Sequence, residues 1–155
     1  MSKSYYLAYG SNLNLKDMAK RCPDAVLYGT ARLDDYELVF RGEEGKVYLN
    51  IEEKAGTEVP VAVWQVEPRD EVELDLYEDY PSLYTKQNFF LPVKLFATSE
   101  IKALEVFAYV MAKEQKIGLP SRQYFDTCLK GYSDLGFDST ILEEAYAKAK
   151  KKKGL

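Results

Sequence analysis

The chain passes from a strand into a turn within residues 5–13, which read YYLAYGSNL. Residues 5–9 are apolar and aromatic, and a short run of this kind bounded by turn residues predicts a buried strand. Gly10, Ser11 and Asn12 favour a tight turn, because glycine adopts backbone angles closed to other residues and small polar side chains bond to the local backbone. The fold therefore begins with a strand that ends in a tight turn.

A helix is predicted directly after this turn. Asn14 can cap a helix over residues 15–21, Asp17 suits its first turn, and Pro23 ends it. A turn that opens onto a helix start points backbone N–H groups outward, where they can bind a carboxylate or a developing oxyanion. An ordinary strand-to-helix turn is the alternative interpretation. The stretch lacks the glycine spacing of a P-loop or a dinucleotide fold, so nucleotide binding has no support.

The rest of the chain alternates β-rich segments with helices. The spacing of the β-rich segments fits antiparallel hairpins, with strands predicted over residues 26–33, 36–41, 47–51, 59–66, 88–96 and 103–111. Helices are predicted over residues 69–77, from Ser121 onward, and over about 139–152. In the first of these, Val72, Leu76 and Leu74 are expected to face the core. We therefore expect an α+β fold whose largely antiparallel sheet can close into a small barrel.

Length and composition indicate one soluble globular domain over residues 1–155. Hydrophobic residues make up 46% and charged residues 30%, enough for one packed core and a solvated surface. The chain has no histidine, which excludes Ser-His-Asp and Cys-His catalysis, histidine-ligated zinc and histidine-based pH switches. Cys22 and Cys128 form no CxxC motif, so both are expected to be reduced thiols in the core.

Charge narrows the possible partners. The formal net charge is -4 even though lysines crowd the C-terminus, where we expect a lysine-rich helical tail at about residues 148–155. The acidic remainder speaks against a nucleic-acid partner. No apolar run reaches the roughly 18 residues of a membrane span, so we expect no membrane partner and a cytoplasmic location. The oligomeric state, monomer or homodimer, stays open.

A candidate acid/base group lies in residues 74–84, where carboxylates alternate with apolar and aromatic side chains. An apolar pocket raises the pKa of a carboxyl group and suits it to move protons near neutral pH. Without histidine, Glu78 is the leading candidate for that task. Asp75 or Asp79 could assist it. The alternatives are that Asp75 bonds to backbone or a basic residue, and that Glu78 and Asp79 are solvated helix-end residues.

Tyrosine is unusually frequent, at 13 of 155 residues. Its side chain offers an apolar face and a polar tip, which suits both core packing and the orientation of a polar ligand. Tyr84, Tyr109 and Tyr124 lie on three different predicted segments, so they could converge on one pocket. The alternative is core and rim packing in a β-rich domain, which explains most of the thirteen.

Four short motifs together resemble the γ-glutamylcyclotransferase-like family, in the family's order and over nearly the whole chain. Residues 6–13 are similar to its YGSNL signature, and residues 74–78, which follow a strand, are similar to its LDxxE segment. Residues 84–86 are similar to the tyrosine and basic residue that come next in the family, and residues 120–124 to its PSxxY helix start. The chain departs from the family at two positions. The family often has glycine where this chain has Asp79, and arginine where it has Lys86, which affects the local turn and the grip on substrate.

The resemblance implies a small mixed, largely antiparallel β-barrel with flanking helices. It also implies an enzyme that converts a small-molecule γ-glutamyl substrate into 5-oxoproline and a released amine or amino acid, with neither a metal nor an organic cofactor. Glu78 then becomes the general acid/base. The residues that would bind the substrate are Tyr9, Gly10, Ser11, Asn12 and Leu13 in the turn, and Tyr84, Tyr109 and Tyr124 in the pocket.

This chemistry needs no nucleophilic side chain, because the α-amine of the substrate attacks its own γ-carbonyl. Holding the two groups together can lower the barrier by several kcal/mol, with an upper range of about 7 to 11. Two alternatives remain open. One is a related enzyme of the same fold that acts on γ-glutamylamines or on a γ-glutamyl-protected biosynthetic intermediate. The other is a non-catalytic module that binds small carboxylates.

Overall fold

A computed structural model of the chain describes residues 3–112 and 114–154. Strands and helices alternate along it. The strands are β1 (Ser4–Ala8), β2 (Val26–Glu43), β3 (Lys46–Val66), β4 (Tyr84–Leu95) and β5 (Ile101–Met111). The helices are α1 (Leu15–Arg21), α2 (Pro68–Tyr77), α3 (Arg122–Leu135) and α4 (Thr140–Lys152), and a 3₁₀ turn over Ser11–Leu13 joins β1 to α1.

The five strands close into a barrel in the order β1-β3-β2-β4-β5. Neighbouring strands are antiparallel except β1 and β5, which run parallel and meet where Tyr6 pairs with Phe107. Consecutive residues Val61, Ala62 and Val63 of β3 are all fully buried, so this strand is covered on both faces. The expected small mixed, largely antiparallel barrel with flanking helices is confirmed.

Strands β2 and β3 are longer than predicted. The four short strands expected over residues 26–66 form one hairpin of two long strands, which turns between Glu43 and Lys46. Pairing shifts register beside Asp35, whose carboxylate accepts a 3.0 Å hydrogen bond from the N–H of Gly56. The gaps between the predicted strands at residues 34–35 and 52–58 therefore face each other across one bulge, and the ladder resumes beyond it.

The helices begin at the predicted caps. At α1 the Asn14 side chain accepts a hydrogen bond from the N–H of Asp17 at 3.0 Å, and at α3 Ser121 Oγ accepts one from Tyr124 at 3.1 Å. These contacts satisfy N–H groups that a helix start would otherwise leave unbonded. Gly136, with φ of +70°, ends α3 in a left-handed conformation that suits glycine.

The prediction of which side of α2 packs on the core is wrong in part. Leu74 is fully buried as expected, whereas Val72 and Leu76 are 57% and 72% exposed. Residues two positions apart point to nearly opposite sides of a helix, so Leu74 cannot share its face with either. The other buried position is Asp70, one turn before Leu74. Its carboxylate accepts a 2.9 Å hydrogen bond from the N–H of Glu67 and so caps the helix.

Helix α3 packs directly on the 3₁₀ turn through Gly131. A methyl group at Gly131 would lie 2.6 Å from the backbone nitrogen of Asn14 and equally close to the carbonyl carbon of Leu13. Only glycine permits so close an approach. The Asn14 side chain also donates to the carbonyl of Thr127 in α3 at 3.2 Å. The position of the turn therefore depends on α3.

Both cysteines are free and buried, which confirms them as core thiols. Burial raises the pKa of the Cys22 thiol to about 11 and that of Cys128 to about 12. Both groups therefore stay protonated at neutral pH and have little thiolate reactivity.

Helix α4 continues into the lysine-rich tail. It buries Leu142, Ala145 and Ala149 and ends at Lys152, so the described part of the tail is helical to that point. Leu155, the last residue of the predicted tail, lies outside the described residues. Among residues 3–112 and 114–154, none of the helices has the length and apolar character that a membrane span requires.

Candidate active site

Glu78 lies at the C-terminal end of α2, beside a pocket between the barrel and the 3₁₀ turn. Its N–H donates to the carbonyl of Leu74 at 2.9 Å, and Leu74 is fully buried, so the backbone at this point is firmly held. The pocket is small, at about 20 Å³. Besides Glu78, the residues that line it are Tyr6, Tyr9, Gly10, Ser11, Asn12, Leu49, Tyr84, Tyr109 and Tyr124.

The structure brings together every residue predicted for the site except Leu13. That side chain is fully buried, and the backbone of Leu13 contacts Gly131 of α3, so Leu13 belongs to the packing beneath the turn. Two lining residues were missed. Tyr6 begins the quoted YGSNL-like motif, and that place in the motif was the only signal for it. Leu49 carries no signal, because one leucine in a strand resembles any other.

The pocket tyrosines are held by the backbone of the barrel. The Tyr9 hydroxyl donates to the carbonyl of Tyr109 at 2.7 Å, and the Tyr84 hydroxyl donates to the carbonyl of Leu49 at 2.7 Å. Tyr124 reaches the same strand, where its hydroxyl accepts from the N–H of Leu49 at 3.2 Å. Burial raises the pKa of Tyr9, Tyr84 and Tyr124 well above the ordinary value. These hydroxyls are therefore neutral, fixed polar groups.

The 3₁₀ turn lines the same pocket with Gly10, Ser11 and Asn12. Within the turn, the N–H of Leu13 donates to the carbonyl of Gly10 at 3.1 Å, and that of Asn14 donates to Ser11 at 3.0 Å. The N–H groups of Ser11 and Asn12 come before these bonds, so the turn does not use them, as at any helix start. They are available to bind an anionic oxygen.

Burial raises the pKa of Glu78 from an ordinary value near 4.5 to about 7. The positive charge of Arg21 opposes this shift and lowers the pKa, but burial is the larger cause. A carboxyl group with a pKa near neutrality can both accept and return a proton at physiological pH. Glu78 thus has the property expected of a general acid/base.

Asp75 is occupied by other partners. Its carboxylate accepts a 2.6 Å hydrogen bond from the hydroxyl of Tyr109 and lies 2.9 Å from the ammonium of Lys86. Lys86 also bonds to Glu71 at 2.5 Å and so ties β4 to α2. Asp75 therefore orients Tyr109, and its pairing with a basic residue matches one of the two expectations for it.

Asp79 lies beyond the pocket, at the mouth of a larger cleft. Its φ of +53° is in the left-handed region, which explains why glycine would also suit this position. The cleft has a volume of about 420 Å³ and shares Ser11, Glu78, Tyr84 and Tyr124 with the pocket. Its remaining lining residues are Glu43, Lys46, Tyr48, Tyr77, Asp79, Leu83 and Gln115.

A second cavity, of about 750 Å³, lies between α4 and the β2–β3 hairpin. It is larger than the cleft beside Glu78, but none of the predicted site residues lines it. Glu78 and the turn make the smaller cleft the better candidate, since chemistry rather than volume identifies an active site. Across the described part of the chain, no three Asp, Glu or Cys side chains cluster as a metal site would need.

Comparison with known proteins places this site in context. The family model described as "Gamma-glutamyl cyclotransferase, AIG2-like" matches residues 6–126. The chain is 31% identical over 139 residues to the gamma-glutamylcyclotransferase of Bos taurus, a match covering 84% of this chain and 71% of the relative. It is 29% identical over 150 residues to the human protein of that name, covering 92% and 77% respectively.

The fold is shared as well. A solved structure named gamma-glutamyl cyclotransferase superimposes with a TM-score of 0.75 at 25% sequence identity. The match covers 94% of this chain and 88% of that structure. Sequence and fold therefore point to the same family, and the family match spans Glu78, the turn and the pocket tyrosines.

Proposed function

Because the chain belongs to the γ-glutamyl cyclotransferase, AIG2-like family and is an enzyme of that class, we propose that it cyclises a γ-glutamyl substrate with Glu78 as general acid/base. The products are 5-oxoproline and an amine or amino acid. The observation that carries the proposal is one carboxyl group with a pKa near 7 that lines the same pocket as the Ser11–Asn12 turn and the neutral tyrosine hydroxyls.

The reaction forms one C–N bond and breaks another. The α-amine attacks the γ-carbonyl carbon while Glu78 accepts a proton from the attacking nitrogen. As the tetrahedral intermediate collapses, the original γ-amide C–N bond breaks and Glu78 returns a proton to the departing nitrogen. Proton transfer of this kind typically contributes about 10²- to 10⁴-fold to the rate.

In this proposal the turn stabilises negative charge on the substrate. The N–H groups of Ser11 and Asn12 are placed to bind either the α-carboxylate of the substrate or the oxyanion of the intermediate. The hydroxyls of Tyr9, Tyr84 and Tyr124 are already bonded to strand backbone, so they shape the pocket without rearranging. A rigid pocket of this kind favours the folded substrate conformation in which the amine meets the carbonyl.

The pocket beside Glu78 and the adjoining cleft each hold part of the substrate. A space of about 20 Å³ accepts little more than one small group. The γ-glutamyl chain must therefore extend into the adjoining cleft of about 420 Å³. In this arrangement the leaving amine lies toward the mouth, near Glu43, Lys46 and Gln115.

The experiment that tests the proposal is detection of 5-oxoproline by mass spectrometry. The purified protein is incubated with γ-glutamyl dipeptides, γ-glutamylamines and glutathione in parallel with its Glu78→Gln variant. We expect product from one class of substrate and a loss of at least about 100-fold in the variant. Glu73→Gln, an exposed change on the same helix, is the matched control and should turn over normally.

The possible results separate the alternatives. Product from γ-glutamylamines alone would identify a γ-glutamylamine cyclotransferase. Near wild-type turnover by Glu78→Gln would exclude Glu78 as the acid/base. If the folded protein released no 5-oxoproline but its melting temperature rose with γ-glutamyl ligands, it would be a small-carboxylate-binding module.

A further inference from the structure

Arg21, the last residue of α1, connects the turn to the helix that carries Glu78. Its guanidinium donates through Nε to the side-chain oxygen of Asn12 at 2.8 Å, and Nη2 donates to the same oxygen. Two donors on one acceptor hold the Asn12 amide in one orientation. The amide nitrogen of Asn12 completes the arrangement by donating to the hydroxyl of Tyr6 at 3.0 Å.

The same guanidinium packs on Tyr77, the residue before Glu78. The central carbon of the guanidinium lies 3.6 Å from the centre of the Tyr77 ring, a stacked cation–π contact. The hydroxyl of Tyr77 is 2.7 Å from Ser11 Oγ in the turn. Arg21, Asn12, Ser11 and Tyr77 thus form one connected unit, which we call the Arg21 brace.

We propose that Arg21 is a positioning residue that fixes the Ser11–Asn12 turn against the end of α2 and thereby sets the placement and charge state of Glu78. This inference rests on the proposed function, because it assigns a role within the same site. Arg21 does not line the pocket or the cleft, so it acts through the brace and through its electric field.

The charge balance around Glu78 supports this role. The titratable and charged groups packed near it come from every adjoining element. They are Tyr6 of β1 and Tyr9 directly after it, Arg21, Asp75, Tyr77, Asp79, Tyr84, Tyr109, Tyr124 and Cys128, with Glu43, Lys46 and Tyr48 at the cleft. Arg21 is the cation that lowers the pKa of Glu78 against the effect of burial. Without this cation, the carboxylate form would be less favourable and the pKa would rise above 7.

The test measures the pKa of Glu78 directly by NMR titration of its side-chain carboxyl carbon. In Arg21→Met the pKa should rise by about one unit, and the Asn12 side-chain amide signals should shift. In Arg21→Lys the charge remains, so the pKa should stay near the wild-type value. Lysine cannot give two fixed donors to Asn12, so the amide signals should still move.

Lys20→Met is the matched control, because it removes one exposed positive charge from the neighbouring position of the same helix. It should leave both the pKa and the Asn12 signals unchanged. An unchanged Glu78 pKa in folded Arg21→Met would overturn the proposal, as would an equal shift in Lys20→Met. If Arg21→Met does not fold, Arg21→Gln serves instead, since it keeps a donor for Asn12 without the charge.

Kinetics give an independent measurement. Because Glu78 must be deprotonated to accept a proton, the acidic limb of the kcat/KM profile should move to higher pH in Arg21→Met and stay in place in Arg21→Lys. A merely structural role would lower activity equally at all pH values. The NMR titration needs no turnover, so it tests the brace even if no γ-glutamyl substrate is converted.

Discussion

At the residue scale, the burial that raises the pKa of Glu78 also makes this residue a source of instability. Its pKa is about 7 in the folded protein and near 4.5 when the chain is unfolded. Below pH 4.5 the group is protonated in both states and has no effect on stability. As the pH rises from 4.5 to 7, only the unfolded chain releases its proton readily, so the folded state loses stability.

We therefore predict that Glu78→Gln is more stable than the wild type at neutral and alkaline pH. The advantage should be absent below about pH 4.5, grow up to pH 7 and then level off at no more than about 3 kcal/mol. Urea denaturation at a series of pH values measures it. Glu73→Gln should show no such trend, and a constant difference at all pH values would contradict the assignment of the shift to Glu78.

The residues of the site differ in how well the sequence predicts them. Glu78 stands out in a chain that lacks histidine and places this carboxyl among apolar side chains, and the structure places it beside the pocket. Leu13 could not be separated from its neighbours, because only the contact between the turn and α3 shows that it is buried. The Arg21 brace depends on side chains of α1, the turn and α2 meeting in space, and no local pattern encodes that meeting.

At the element scale, the sequence pattern is a better guide to which strands and helices form than to how they connect. The caps of α1 and α3 follow from local hydrogen bonding, so the sequence is sufficient for them. The bulge beside Asp35 appeared as two strand breaks because the residues that signal a turn also occur in bulges. The face of α2 was uncertain because capping buries Asp70, a residue type that normally lies at the surface.

Helix α3 should control the active-site turn through Gly131. In Gly131→Ala the added methyl group would meet backbone atoms of Leu13 and Asn14 at 2.6 Å, so either the turn or the helix must shift. We expect a loss of stability of about 1 to 3 kcal/mol and a larger loss of kcat/KM than stability alone explains.

Thermal melts and kinetics of Gly131→Ala measure these two effects. Ser133→Ala is the control, since it changes an exposed position of the same helix. Wild-type kcat/KM in a destabilised Gly131→Ala protein would show that the turn does not depend on α3.

At the scale of the whole molecule, the barrel has two weak seams. Strands β2 and β4 pair at Gly29 and Thr30 alone, and the pairing of β1 with β5 is shorter still. The pairing of β2 with β3 extends from Val26 to Glu43, whereas β1 and β5 pair in parallel only at Tyr6 and Phe107. The hydroxyl of Tyr9 crosses the seam between β1 and β5 to the carbonyl of Tyr109 at 2.7 Å. A side chain of the candidate site therefore also helps to close the barrel.

Tyr9→Phe should loosen the seam between β1 and β5 without unfolding the protein. Loss of one buried hydrogen bond costs about 1 kcal/mol, and amide hydrogen exchange should accelerate in β1 and β5 more than in the β2–β3 hairpin. Tyr48→Phe removes a hydroxyl that has no hydrogen-bond partner within residues 3–112 and 114–154, so its exchange pattern should match the wild type. Uniform acceleration in all strands would argue against a local seam.

The tip of the hairpin formed by β2 and β3 can change in sequence independently of Glu78 and the turn. It contributes the exposed residues Glu43 and Lys46 to the mouth of the cleft, while Glu78 and the turn are held by other elements. Substitutions at Glu43, Glu44 and Lys46 therefore leave Glu78 and the barrel core in place, whereas Gly45, with a φ of +87°, is needed for the hairpin turn. A library randomised at residues 43, 44 and 46 can retune which leaving groups are accepted, and natural descendants of this chain can diverge in substrate by the same route.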